Sequence, residues 1–378
     1  MGPHQKMIER IYLCVVRKDG KENGMANVLT RSDGNRSMQG MILLLCVLIG
    51  VLASQSSLAL ASPMKGGHEI WGFLTGASVQ SSPAVVNGVV YIGSNDDNVY
   101  ALNAATGAEI WAFATGGPVY SSPAVVNGVV YVGSADDNVY AINATTGTEI
   151  WSSYIGLSVS TKPAVANGVV YFTSYNDVLF ALDAATGTEI WQNIGDTSPA
   201  VVGGVVYVGS DSDVLALNAT KGTLKWLFHT PGSTTSPTVV GGVVYVGASS
   251  GDVYALKAKT GAEIWDTQGL FPIDVTPAVV GGMVYVGEDS YGNVYALNAK
   301  TGIVKWDFPT GGGVQSSPAV VKGVVYIGAG SDVYALNAAS GTEKWVFATG
   351  NFVVSSPAVV GGVVYIGSGD DSVYALKA

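Results

Sequence analysis

The sequence predicts an all-β fold, an eight-bladed β-propeller of four-stranded antiparallel blades, and three observations carry that prediction. Eight tryptophans (Trp71, Trp111, Trp151, Trp191, Trp226, Trp265, Trp306 and Trp345) recur at intervals of 35 to 41 residues, a period that marks stacked supersecondary units. A two-residue turn, Asn-Gly, Gly-Gly or Lys-Gly, separates two apolar runs in every unit, and such turns tolerate positive φ and set hairpin register. The repeats open on the last piece of a unit, Gly67-His-Glu-Ile-Trp71, and stop on the third, Val373-Tyr-Ala-Leu-Lys-Ala378. The N-terminal strand is therefore expected to complete the C-terminal blade, which closes the ring without an open edge and disfavours an open solenoid.

Taken in chain order, residues 1–61 stand apart as a leader. They hold all four Arg and both Cys of the chain, and Arg31 and Arg36 precede the apolar run from Met41 to Ala53. That run has the length of a signal-peptide core and falls short of the roughly 20 residues of a bilayer span. The small residues around Ala61 suit cleavage before Ser62, so the leader reads as a signal peptide or, left uncleaved, as a membrane anchor. Either way residues 62–378, the propeller, are expected to be secreted, periplasmic or on the cell surface.

Each unit then repeats one order of pieces. A Ser-Pro-Ala-Val-Val strand comes first, and its proline, which cannot donate to a sheet ladder, belongs on an edge; this strand is expected to line the central channel. A Val-Val-Tyr strand follows the two-residue turn, a turn rich in Asp, Asn, Ser and Gly leads to a Val-Tyr-Ala-Leu strand, and an Asn-Ala-Ala-Thr-Gly turn leads to the tryptophan strand. The strands are apolar on both faces, as in Val89-Val-Tyr-Ile92, so both faces need cover, and sheets stacked around a ring cover one another. No helical apolar period occurs.

Composition narrows function. The chain is 48% hydrophobic and 12% charged, too apolar and too weakly charged for a disordered chain. From Ser62 onward there are 11 Lys, no Arg, no Cys and 24 acidic residues. A surface of that charge repels phosphate backbones, so no nucleic-acid partner is expected, and the missing thiols exclude disulfides and cysteine metal sites.

The segment Ala101-Leu-Asn-Ala-Ala-Thr-Gly-Ala-Glu-Ile-Trp111, repeated with small changes up to Trp345, resembles the tryptophan-docking repeat of the pyrroloquinoline quinone (PQQ) propellers. That family includes quinoprotein alcohol dehydrogenases and the noncatalytic propeller of the outer-membrane β-barrel assembly machinery. The resemblance implies that the eight tryptophans are structural, packed between neighbouring blades. It also raises two functions. One is a noncatalytic extracytoplasmic scaffold, a monomer that binds a protein or an envelope polymer; a purely structural envelope component is a variant of it. The alternative is a PQQ-dependent oxidoreductase acting on alcohols or sugars with calcium. The enzymes of this family hold PQQ with a disulfide between adjacent cysteines and with arginine, and residues 62–378 contain neither residue. No cofactor and no metal are therefore expected, and no catalytic residue is assigned.

Where the repeats differ, two candidate sites emerge. Three residues before the channel proline stand Gln80, Tyr120, Asp196, Asp274 and Gln315, and Lys162 replaces the Ser or Thr that otherwise precedes the proline. This set reads as a channel-mouth site for a small polar ligand or as a solvated rim; in the PQQ alternative Lys162, Asp196 and Asp274 would do the chemistry. Tyr175, Leu270, Phe271 and Tyr291 interrupt the repeats on the same expected face, as interface anchors or as packing between loops. The Asp pairs at 96–97, 136–137 and 370–371 read as turn residues, and His68 and His229 lack partners at metal-ligand spacing.

Overall fold

A computed structural model describes residues 66–378 together with 11–13 and 26–28. In the N-terminal unit, residues 1–64, the described residues form one antiparallel strand pair, Ile11–Leu13 with Ala26–Val28. The signal-peptide and cleavage expectations fall outside the described residues.

The second unit contains eight sheets of four antiparallel strands, each a simple meander. Blade 1 shows the pattern: an inner strand Ala84–Val86, a second Val89–Gly93, a third Asn98–Asn103 and an outer Glu109–Ala114. Blades 2 to 7 repeat it over 124–154, 164–194, 200–229, 238–267, 278–309 and 319–348. Blade 8 takes three strands from 358–377 and its outer strand, Glu69–Leu74, from the other end of the unit, with Trp71 opposite Ala375 and Leu74 opposite Ser372. The inner strands neighbour one another all the way round, blade 8 meeting blade 1. The structure is an eight-bladed β-propeller.

Local chemistry accounts for the meander. Asn87 and Gly88 both have positive φ, 52° and 79°, as a two-residue hairpin of this hand requires. Asn103 Oδ1 accepts the amides of Ala105 and Thr106, so the side chain closes the turn into the outer strand. The outer strand carries a bulge, since Ala101 faces Trp111 whereas Leu102 faces Glu109, which leaves Ile110 unpaired and exposed and bends the outer edge.

Packing is between blades. Val90, Ile92, Val99 and Leu102 are fully buried, each contributing about 1.5–3 kcal/mol of transfer free energy. The tryptophan of each outer strand lies across the next blade's last turn: Trp71 Nε1 donates to Ala104 O at 3.0 Å and Trp226 Nε1 to Ala258 O at 2.9 Å. The second-strand tyrosine joins it, because Tyr91 Oη and Trp111 Nε1 both donate to Ala144 O, each at 3.1 Å. Only glycine fits beneath the indole: Gly107 has φ +73°, and a Cβ there would stand 2.7 Å from Trp71 Cδ2. Trp345 instead covers Gly66 and Gly67 at the closing seam and is the least buried of the eight.

Candidate functional site

The central channel holds a cavity of about 520 Å³ lined by the residue that precedes the proline in every blade: Ser82, Ser122, Lys162, Ser198, Ser236, Thr276, Ser317 and Ser356. These residues are chained across the blades. The amide of Ser82 donates to Ser122 Oγ at 2.9 Å, that of Lys162 to Ser198 Oγ at 3.0 Å and that of Ser198 to Ser236 Oγ at 3.0 Å. Thr276 donates to Ser317 Oγ at 3.0 Å, Ser317 to Ser356 Oγ at 2.9 Å and Ser356 back to Ser82 Oγ at 2.8 Å. The chain has two gaps: Lys162 has no side-chain oxygen to offer the amide of Ser122, and the amide of Ser236 makes no such bond to Thr276. The Lys162 side chain is open to the cavity, yet the surrounding wall withholds enough water to pull its pKa below that of an ordinary lysine.

The residues three before the proline do not line this cavity. They form a wider polar rim, in two acidic groups. Asp196 Oδ2 accepts the amide of Asp211 at 2.6 Å; burial, with the charges of Asp177 and Asp211, raises its pKa against that bond. Asp274 is raised by burial and by Asp289, while Gln315 Nε2 reaches Asp289 Oδ2 at 3.4 Å. Gln80 and Tyr120 are half-buried on the same rim. Lys162 forms no ion pair with Asp196 or Asp274; among the described residues the one contact between a basic side chain and a carboxylate joins His229 and Asp213, as a hydrogen bond of 3.0 Å.

The Asp-rich turns serve as local clasps. Asp96 Oδ2 accepts from Gly76 N at 2.6 Å and Tyr100 Oη at 2.7 Å, and its Oδ1 accepts from Asn98 N at 3.1 Å. Burial pushes the Asp96 carboxyl up, but these bonds outweigh it and hold its pKa below the ordinary value. Asp136 repeats the arrangement. No cluster of three or more His, Cys, Asp or Glu suited to a metal occurs among the described residues.

The bond from Gly76 to Asp96 also places the loop after the tryptophan strand and the turn between second and third strands on one face of the ring. The interface candidates lie there. Tyr175 is 81% exposed and Tyr291 65%, and Phe271, 43% exposed, meets the Tyr291 ring at 4.2 Å between centroids. Leu270 differs from expectation: it is half-buried and packs against Trp265, Ile273 and their neighbours, and Gly251 fits closely against its carbonyl.

Two features escaped the sequence reading. The cavity wall is the residue immediately before each proline, a hydroxyl in seven blades and Lys162 in the eighth, whose common lining is indistinct until the inner strands form a ring. Lysine is also sorted by face: aspartates fill the turns of the aromatic face, whereas Lys221, Lys259, Lys300 and Lys322 sit in turns at the opposite one, beside Asp183 and the glutamates that open the outer strands. On that opposite face a second hollow of about 370 Å³ between blades 4 and 5 is lined by Val202, Val239, Lys225 and Lys259.

An eight-bladed meander propeller with indole-bridged blades defines the class of PQQ-like repeat propellers. Three stretches that together run from residue 55 to 378 (55–161, 135–272 and 267–378) match the family described as outer membrane protein assembly factor BamB, and the chain belongs to that family. Among solved structures, BamB from Moraxella catarrhalis superposes with a TM-score of 0.72 at 18% identity, covering 82% of this chain and 99% of that one. The computationally designed Ika8 protein gives 0.73 at 17% identity over 83% of this chain and 100% of its own. The quinohemoprotein alcohol dehydrogenase ADHIIG of Pseudomonas putida HK5 gives 0.69 at 17% identity, over 82% of this chain and 76% of that enzyme. At these identities the likeness is one of fold. No curated protein matches the chain.

Proposed function

We propose that this protein is a noncatalytic extracytoplasmic scaffold that binds a protein or envelope-polymer partner on the face bearing Tyr175, Phe271 and Tyr291. The observation behind this reading is the solvent-exposed pair Phe271–Tyr291, with ring centroids 4.2 Å apart, in irregular loops of an otherwise regular ring. Exposed aromatics rimmed by polar groups have the composition of interface anchors. Membership of a family described as an outer membrane protein assembly factor supports a protein partner and a place outside the cytoplasm. A photo-crosslinking residue at position 291 or 175 is expected to yield a defined adduct in envelope extracts, and the same residue at Lys221, on the opposite face, none. Equal labelling at all three positions would overturn the reading.

The oxidoreductase alternative has the fold of the quinohemoprotein dehydrogenases behind it but not the residues. PQQ carries several carboxylates, and the channel supplies one ammonium, Lys162. The rim outside it holds Asp196 and Asp274, whose raised pKa values record burial and repulsion by neighbouring acids. These residues do not fit the cofactor. Titration with PQQ and calcium is expected to give no saturable heat, and one site per chain, weakened in Lys162→Ala, would restore the enzymatic reading.

A further inference from the structure

We infer that the channel ring is a binding site for a small oxyanion, held by Lys162 Nζ and the hydroxyls of the serines that precede the inner-strand prolines. The inference does not depend on the partner-binding face. It follows from donor and acceptor accounting around the cavity. Each of the six ring serines receives a backbone N–H from the blade before it, and none donates its own proton to any described protein atom. A hydroxyl has one proton and two lone pairs. The incoming amide occupies one lone pair and fixes the side chain, leaving the proton to be donated into the cavity. The ring is therefore an array of preoriented O–H donors whose positions are set by the closed circle of inner strands.

Lys162 adds the charge. The cavity lining contains no carboxylate and no second titratable group, and the ammonium has neither an ion pair nor a hydrogen bond to a described residue. An ammonium is donor-only, so every polar side chain of the lining has a proton to give and Lys162 has nothing else. A compact anion with several acceptor oxygens satisfies such a set. Its charge offsets the desolvated ammonium, and each of its oxygens accepts a charge-assisted bond. The acids of the rim are outside the lining. A cation, by contrast, would meet the ammonium. The position is one of eight equivalent places, and the other seven carry Ser or Thr, so the ring can be built without a lysine. A charge placed where the sister blades carry a hydroxyl needs a ligand to account for it.

The test titrates the purified full chain calorimetrically with inorganic phosphate and, separately, with malonate, at constant ionic strength. We expect one site per chain for at least one probe; the tighter of the two distinguishes an inorganic oxyanion from a carboxylate. Lys162→Ser, which installs the residue of the sister blades and so preserves folding, is expected to weaken binding by at least about tenfold. Lys322→Ser, in a turn on the opposite face, is expected to leave it unchanged. The inference fails if neither anion saturates, if Lys162→Ser binds as well as the native chain, or if Lys322→Ser weakens binding as much, since the last result would reduce the effect to net charge.

Discussion

Two rings run around this propeller, and they treat repetition differently. The outer ring of tryptophans is uninterrupted: the indole recurs in all eight blades, and seven donate to the next blade's turn carbonyl. The inner ring carries a hydroxyl in seven blades and departs from it once, at Lys162. A residue that recurs without exception at a buried seam answers to packing, which every blade needs equally. A departure at a position facing an open cavity costs the fold little and can answer to a ligand. Uniformity marks the architecture of this molecule, and exceptions mark where to look for its work.

The largest effect should come from breaking the outer ring. Trp226→Ala removes a buried indole and its bond to Ala258, and a loss of about 3–5 kcal/mol is expected from urea denaturation midpoints. Trp345→Ala, at the more open closing seam, should cost clearly less; an equal loss would mean that the seam is as tight as the others. The inner ring should respond in the opposite direction. Lys162→Ser removes a desolvated ammonium and offers the Ser122 amide an acceptor, so the chain should gain about 1 kcal/mol without added anion, read from the same midpoints.

A smaller effect, dependent on pH, separates the rim from the clasps. The Asp196 pKa is raised in the folded chain. The folded state therefore holds its proton to a higher pH than the unfolded state does, and stability falls as pH rises through that interval, remaining lower above it. Asp196→Asn should match the native chain at about pH 3 and exceed it at pH 7, by less than about 1 kcal/mol because Asp196 is partly exposed. Asp96 behaves oppositely: its depressed pKa contributes stability that is full above the ordinary carboxylate range and is lost as pH falls through the lowered value. The smallest stability change is expected from Tyr291→Ala, within about 0.5 kcal/mol by thermal unfolding, since Tyr291 is 65% exposed. The same variant should weaken partner capture, which separates an anchor from a packing residue.

The period of the tryptophans, the two-residue turns and the split unit at the ends of the repeats were legible because each is a local rule repeated eight times. A turn that needs positive φ, or an edge that excludes an N–H, leaves its mark within a few residues. Sequence alone thus determined the blade, the number of blades and the closure, and it singled out Lys162, Asp196 and Asp274 as departures from the repeat. Only the tertiary structure decided which neighbours each of these meets. Lys162 joins seven hydroxyls from other blades around one cavity, the two acids pair with separate neighbours on the rim, and Leu270 turns into the core while Phe271 and Tyr291 come together outside it. Those relations link residues up to 274 positions apart, as from Ser356 to Ser82. They arise from closing the ring, which brings one residue of every blade to a common axis, and no periodicity within a single blade encodes which departures will then face one another.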